Sequence, residues 1–462
     1  MDKAATSLRQ QWIEPSDIFS VLLILGGDVI RMALAAVSGS VLTPVSFSFG
    51  WVSYAISALL SSAGENRLMP TSPELLLRVI NLETGYVRFN RSWTLGRLFQ
   101  HFEFWMPAEV KEKIRHPVLY RDEEDGEKVP SVSPSSSVDP RKFVSDKEAH
   151  LCVSVYQWAD DKKHMVGRPG HDWVWWLGLL VTIVQLGISA IPFGLYKDWS
   201  ILLVTAAGTT LAYATGTLPQ WQKEKWACRF EAKKNIALTL GNGTQHVIII
   251  RKSKSTGLDL EDLAGGQLVQ DDHHHPNSRH KRRFRDVLGS NNATRGATFV
   301  LALLWLLLLV TSTGIHDHSW YLLAIGGLGM LQNLISAGAP RPPAMLGIPI
   351  ELDKRPEDTD TRDDPGFIPV FAEFKVMHTL MELEMAYPGF GRQLRNEFFP
   401  GVIEGWEDEW WDTSNKEKMK ELLRAAKGRE FTKQMKKLAE RKTPVPSNNI
   451  RPSFRGDSLG PQ

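Results

Sequence analysis

Asp28 and Arg31 are the two ionisable residues that stand deep inside an apolar run of this chain, three residues apart within residues 18–37. On a helix that spacing brings the side chains together on one face. Inside a bilayer each charge costs about 2.5 to 3.5 kcal/mol on insertion scales, so such residues turn toward a protein interior. Two chemistries fit: a mutually neutralising structural pair, or a polar step in a path for an ion or small solute. The other strongly polar side chains in the apolar runs are Gln185, Gln332 and Asn333. None of these residues forms a recognisable nucleophile, base or relay.

Histidine offers little more. His316-Asp317-His318 occupies a four-residue turn between two apolar runs, and His273-His274-His275 with His280 lies in a polar stretch. Two imidazoles and a carboxylate on so short a turn do not surround one zinc ion. No HExxH, nucleotide fingerprint or phosphate loop is present, since Gly241-Asn-Gly243 lacks the following Lys-Ser/Thr pair. No metal site, cofactor or catalytic residue is therefore expected. The basic run Arg279, Lys281, Arg282, Arg283 and Arg285 has a different use. It ends shortly before an apolar run, where each basic residue contributes about 1 kcal/mol of attraction to an anionic leaflet. Anionic lipid headgroups are the expected contact.

The elements that position these residues are set by apolar length. Although the chain of 462 residues has 23% charged residues and a mean hydropathy of -0.20, its apolar residues are gathered in blocks. Six blocks approach the roughly 20 residues that a membrane helix needs. They are 18–37, 41–62, 172–196, 199–218, 296–315 and 320–339, and they pair as three hairpins over 18–62, 172–218 and 296–339. Trp173, Trp175, Trp176, Trp199 and Trp320 mark the starts of blocks, as an interfacial belt would. Ser53, Ser57 and Ser61, and Gly208, Ala212 and Gly216, recur every four residues, a spacing that lets helices pack closely in lipid.

Apart from Arg31 and Lys197, the 54 Lys and Arg residues fall on the side of the long connections. The positive-inside rule then places both termini in the cytosol. Cys152 and Cys228 fall in the same compartment and are expected as thiols. The formal net charge of +2 gives no reason to expect nucleic acid as a partner.

The cytosolic segments are 63–170, 219–295 and 340–462. The first contains a short hairpin around Glu83-Thr-Gly85, an amphipathic helix over 92–105 and a linker over 121–142. The second contains a β-hairpin over 236–250. The third contains a helix whose face holds Phe371, Phe374, His378, Met381 and Met385, then an aromatic region, and a charged helix over 416–441. The expected fold is an all-α polytopic membrane protein of six transmembrane helices with a smaller cytosolic α+β part.

The stretches Thr84-Gly-Tyr-Val-Arg-Phe-Asn-Arg-Ser-Trp-Thr-Leu-Gly-Arg97, Trp226-Ala-Cys-Arg229, Leu240-Gly-Asn-Gly-Thr-Gln-His-Val247 and Tyr387-Pro-Gly-Phe-Gly391 resemble uncharacterised multi-pass membrane proteins of filamentous fungi. That resemblance implies no activity and no site residue. The expected role is a non-catalytic membrane protein that presents a cytosolic surface to a cytosolic or membrane protein; the rival is a small transporter or channel built on Asp28 and Arg31.

Overall fold

The computed structural model describes residues 16–64, 67–120, 142–145, 147–159, 165–254, 256–266, 291–315, 317–354 and 367–442. Of the linker expected over 121–142, residues 121–141 lie outside the described residues, as do the basic run 279–285, His316 and the tail from 443, while Lys142 begins a strand.

Long apolar runs become helices because a helix pairs its own backbone groups. Among the described residues these are α1 (Ser16–Val37), α2 (Trp51–Gly64), then, beyond the first long connection, the hairpins described next. That connection holds β1 (Arg78–Asn81), β2 (Val87–Phe89), α3 (Trp93–Gln100), α4 (Phe102–Trp105), α5 (Ala108–Arg115), β3 (Val118–Tyr120), β4 (Lys142–Val144) and β5 (Cys152–Trp158). The chain continues with α6 (Trp173–Tyr196), α7 (Ser200–Gly216), α8 (Pro219–Lys225), β6 (Ile236–Thr239), β7 (His246–Ile250) and α9 (Leu260–Gly265). The last hairpin is α10 (Asn291–Thr313) and α11 (Ser319–Gly338). After it come β8 (Ile350–Leu352), β9 (Val370–Phe371), α12 (Val376–Ala386), α13 (Phe390–Phe398), α14 (Gly405–Asp412) and α15 (Lys416–Lys442).

Among the described residues three helices, α6, α10 and α11, are long and apolar enough to cross a membrane, and α7 with α8 forms a pair bent by 40° that qualifies jointly. Leu180, Ile183, Val184, Leu303 and Leu307 are exposed on the outside of this bundle. Exposed Trp173 and Trp176 lie at one end, exposed Trp199 and Trp320 at the other. An apolar belt between two tryptophan rims is compatible with an integral membrane protein. Trp175 departs from the rim: it is buried, and its indole donates to the Leu42 carbonyl at 3.1 Å.

The block 41–62 is not one helix. Residues 41–50 are extended or in a turn, and α2 begins only at Trp51. Pro44 has no N–H to give a helix, and it biases Thr43 away from helical geometry. Six spans as three hairpins is therefore not confirmed at the first pair. Two smaller expectations also shift. The helix expected over 92–105 breaks at His101 into α3 and α4, and the helix expected from Phe371 starts at Val376, leaving Phe371 in β9.

Among the described residues the connections form a seven-stranded mixed sheet in the order β2-β1-β6-β7-β5-β8, with β9 also pairing β5, and a separate two-stranded sheet of β3 and β4. Only β5 and β7 run parallel; the 236–250 hairpin pairs Ile236 with Ile250 as its alternation predicts. Alternate residues serve opposite faces. Ile236, Leu238, Ile248 and Ile250 pack with α3, α4 and α9, whereas Ala237, Val247 and Ile249 pack with α12 to α14. Helices thus cover both faces of the central strands, which read as continuous apolar runs for that reason. The strands also bracket the bundle: β5 precedes α6, β6 follows α8, β7 precedes α10 and β8 follows α11.

His378, on α12, is 1% exposed and meets the Trp406 ring edge-on. Burial, assisted by Lys427 and Lys375 and opposed by Glu430, pushes its imidazole down to about 4. An unfolded histidine takes its proton near pH 6.5. The neutral ring therefore stabilises the fold fully above about pH 6.5, and that contribution, on the order of 3 kcal/mol, is lost as pH falls toward 4. Chemical unfolding of the full chain in detergent, followed by tryptophan fluorescence, should show this decline, and His378→Phe should flatten it. His101 and His246, which are also lowered, leave a residual slope. An unchanged slope in the variant would contradict the assignment.

Candidate functional site

The segment between α1 and α2 passes through the middle of the helical bundle. Thr43, Pro44, Val45, Ser46, Phe47, Ser48, Phe49 and Gly50 are all buried. An extended strand has no internal hydrogen bonds, so in an apolar interior neighbouring side chains must supply them. Gln185 on α6 and Gln332 and Asn333 on α11 do so. Gln332 Oε1 accepts from the Ser46 N–H at 3.1 Å, and Asn333 Nδ2 donates to the Ser46 carbonyl at 3.1 Å and to Ser48 Oγ at 3.3 Å. Gln185 Nε2 donates to the carbonyls of Phe47 and Ile325, both at 2.8 Å. Trp51 Nε1 gives the Ser46 carbonyl a second donor at 2.9 Å. Two amide oxygens, Gln185 Oε1 and Asn333 Oδ1, are buried and meet no donor among the described residues.

Glycines make the slot. A methyl group on Gly178, Gly216, Gly326 or Gly329 would strike Pro44, Thr43, Phe49 or Phe47, and one on Gly208 would strike the Phe47 ring. Gly208, Ala212 and Gly216, expected to serve helix contact, instead include two residues whose missing side chains admit the strand. Ser53 does pack against α1 at Gly27, whereas Ser57 is exposed and donates back to the Ser53 carbonyl. Trp305 of α10 closes the slot, stacked between Phe47 and Trp51 at 6.2 and 5.3 Å.

The start of the strand and the end of α2, the helix that follows it, both lie at the sheet end of the bundle. At the first end, α1 terminates on two buried cations. Lys225 Nζ donates to the carbonyls of Ala35, Ala36 and Ser38 at 2.9, 3.1 and 2.8 Å. Arg341 Nη1 donates to the Ala36 carbonyl at 2.6 Å while its Nε pairs with Asp172, the residue that caps α6. Cations belong at helix C-termini because the last carbonyls are unpaired and the dipole is negative there. Gly39 follows with φ 105°, and a side chain there would collide with the Trp226 indole.

At the other end, the chain after α2 is clamped from both sides. Arg31 donates to the carbonyls of Leu68 and Met69 at 3.2 and 3.1 Å, and the Glu224 carboxylate accepts from the N–H groups of the same two residues at 2.9 and 2.8 Å. Arg31 is therefore engaged by the Leu68–Met69 backbone, while Asp28 is exposed on the outside of α1. The i, i+3 spacing permits a pair, but the two side chains take different faces of the helix.

Arg97 completes the junction by donating to the carbonyls of Ala337 and Ala339 at the end of α11. Next to it, burial and the cations Arg97 and Arg341 push His101 down to about 4. Its neutral ring can then accept, and Nδ1 takes the Arg341 N–H at 3.3 Å. His318 stacks on Tyr196 at 4.2 Å and lies 3.6 Å from Asp198; no group of three His, Cys, Asp or Glu converges among the described residues.

The sequence marked Gln185, Gln332 and Asn333 as polar residues in apolar runs but did not say what they hold. Lys225 and Arg341 count in the sequence only as basic residues close to spans that orient the chain, and Glu224 carries no signal there beyond its position after a span. Comparison of the chain with protein-family models, curated proteins and solved structures finds no match. The site stands on its own geometry.

Glycine contacts give a sharp test. Gly329→Ala should cost about 3 kcal/mol or more, because backbone lies where the methyl would go. Gly327→Ala, on the same helix with open space around it, should stay within about 1 kcal/mol and lean toward stabilisation. Gln185→Leu should cost about 1 to 3 kcal/mol by leaving the Phe47 carbonyl unpaired. Thermal unfolding in detergent measures all three; equal effects at Gly327 and Gly329 would refute the slot.

Proposed function

We propose that this chain is an integral membrane scaffold with five crossings and one re-entrant segment, carrying a cytosolic domain that binds other proteins rather than performing catalysis. The crossings are α1, α6, α7, α10 and α11. The re-entrant segment descends as 43–50 and climbs back as α2. This arrangement puts the start of α1 on the opposite side of the membrane from the C-terminus, whereas charge counting alone puts both termini in the cytosol.

The observation that carries the binding role is a groove of about 810 Å³ on the domain, between α5, α12 and α15. It is lined by Lys113, His116, Glu382, Lys420, Glu421 and Arg424 among others. Charges of both signs beside apolar Val118, Met385 and Leu423 match an amphipathic peptide segment of a protein partner. Among the described residues the opposite face offers little surface, since the far ends of the bundle are joined by the short turns 197–199 and 314–318.

A second reading is supported by the two unpaired amide oxygens in the slot. Unwound backbone with free acceptors inside a bundle is where transporters hold a dehydrated solute. On that reading the transport residues are Gln185 and Asn333 rather than Asp28 and Arg31.

Proximity labelling from a C-terminal tag compares the two. For a scaffold, the double variant Lys420→Glu, Glu421→Lys should integrate normally and lose labelled partners at least several-fold. Identical labelling by variant and parent would sink the groove as the binding surface.

A further inference from the structure

We infer that the outer face of α1 docks a transmembrane helix of another protein carrying a lysine or arginine level with Asp28. The inference rests on the reading of α1 as a membrane crossing. Asp28 is exposed, and Met32, one turn later, is 45% exposed on the same side, while the inner face of α1 packs against α11 and α2. Depth follows from the helix end. The Ala36 carbonyl shares Arg341 with Asp172, so the end of α1 is level with the start of α6. Asp28 lies nine residues earlier, about 13 Å along the axis at 1.5 Å per residue. Half of a hydrocarbon core about 30 Å thick is about 15 Å. A carboxyl group on the lipid-facing side of a helix near mid-bilayer is therefore held in the least favourable place for it.

Charge complementarity selects the occupant. Arg31 cannot turn to Asp28 while its guanidinium serves the Leu68 and Met69 carbonyls. Lys225, Arg295 and Arg341 lie at the sheet end and donate to the carbonyls of α1 and α2 or their flanks, and Lys197 lies in the far turn. Among the described residues, a second copy of this chain thus brings no cation to the level of Asp28. A basic residue on a different membrane helix would pair with the carboxylate, and Met32 would supply adaptable apolar contact beside it.

The probe is a synthetic single-span Leu/Ala helix bearing a donor dye and one central lysine. It is reconstituted with the full chain in phosphatidylcholine vesicles, with an acceptor dye on Val41→Cys at the exposed end of α1. The lysine helix should give energy transfer about fivefold or more above a central-leucine helix, the size of one interhelical polar contact. Asp28→Asn, which keeps the shape of an exposed side chain, should bring it down to the leucine level with an unchanged unfolding temperature. Equal transfer from both helices, or transfer retained in Asp28→Asn, overturns the inference. So does Asp28-dependent transfer between two labelled copies, which would assign the face to self-association. A parallel reaction of Asp28→Cys with a membrane-impermeant maleimide separates the levels. Rapid labelling overturns the crossing itself, whereas slow labelling with no lysine preference overturns only the docking.

Discussion

An extended peptide inside an apolar bundle must find a partner for each backbone group, and that requirement organises the helical bundle of this molecule. The segment 43–50 makes one backbone hydrogen bond within itself, Val45 N–H to the Thr43 carbonyl at 2.9 Å, and Gln185, Gln332 and Asn333 act as a surrogate ladder for Ser46 and Phe47. Their amides would be costly anywhere else in α6 and α11. The same strand demands width, which explains why Gly178, Gly326 and Gly329 occur where their helices approach it. Polar side chains and missing side chains are thus two consequences of one non-helical passage.

A second constraint joins the bundle to the sheet. Helices that end inside protein leave carbonyls unsatisfied, and here the ends of α1 and α11 are met by Lys225, Arg341 and Arg97. These cations come from α8, from the chain after α11 and from α3, so elements far apart in sequence converge on the same junction. Neutral His101 accepts from Arg341 there, which ties the electrostatics of the junction to the domain. Because sheet strands precede and follow each later hairpin, displacement of a hairpin would pull on the sheet.

Legibility varied with the range of the interactions. The 236–250 and 79–89 hairpins and the helix α15 were readable because alternation, turn glycines and charge pattern act locally. The block 41–62 misled because length and apolarity do not distinguish a crossing from a strand that other helices enclose. Pro44 was the available warning. Gly208 and Gly216 were read as surfaces for helices when they accommodate Phe47 and Thr43. Asp28 and Arg31 share a helix and a spacing, but Arg31 is drawn to the carbonyls of Leu68 and Met69, 37 and 38 residues away in sequence and adjacent in space. The basic run at 279–285 remains an expectation about lipid contact that lies outside the described residues.

The most direct test of the re-entrant passage is a distance between its two ends. Val41 and Gly64 are both exposed and accept spin labels as Val41→Cys and Gly64→Cys, with Cys152 and Cys228 buried. Pulsed electron paramagnetic resonance on the full chain in lipid should give a distance well short of about 35 Å, because both ends lie on the sheet side. A distance near 35 Å, the length of a continuous helix over those residues at 1.5 Å each, would fit one unbroken helix there and contradict the slot.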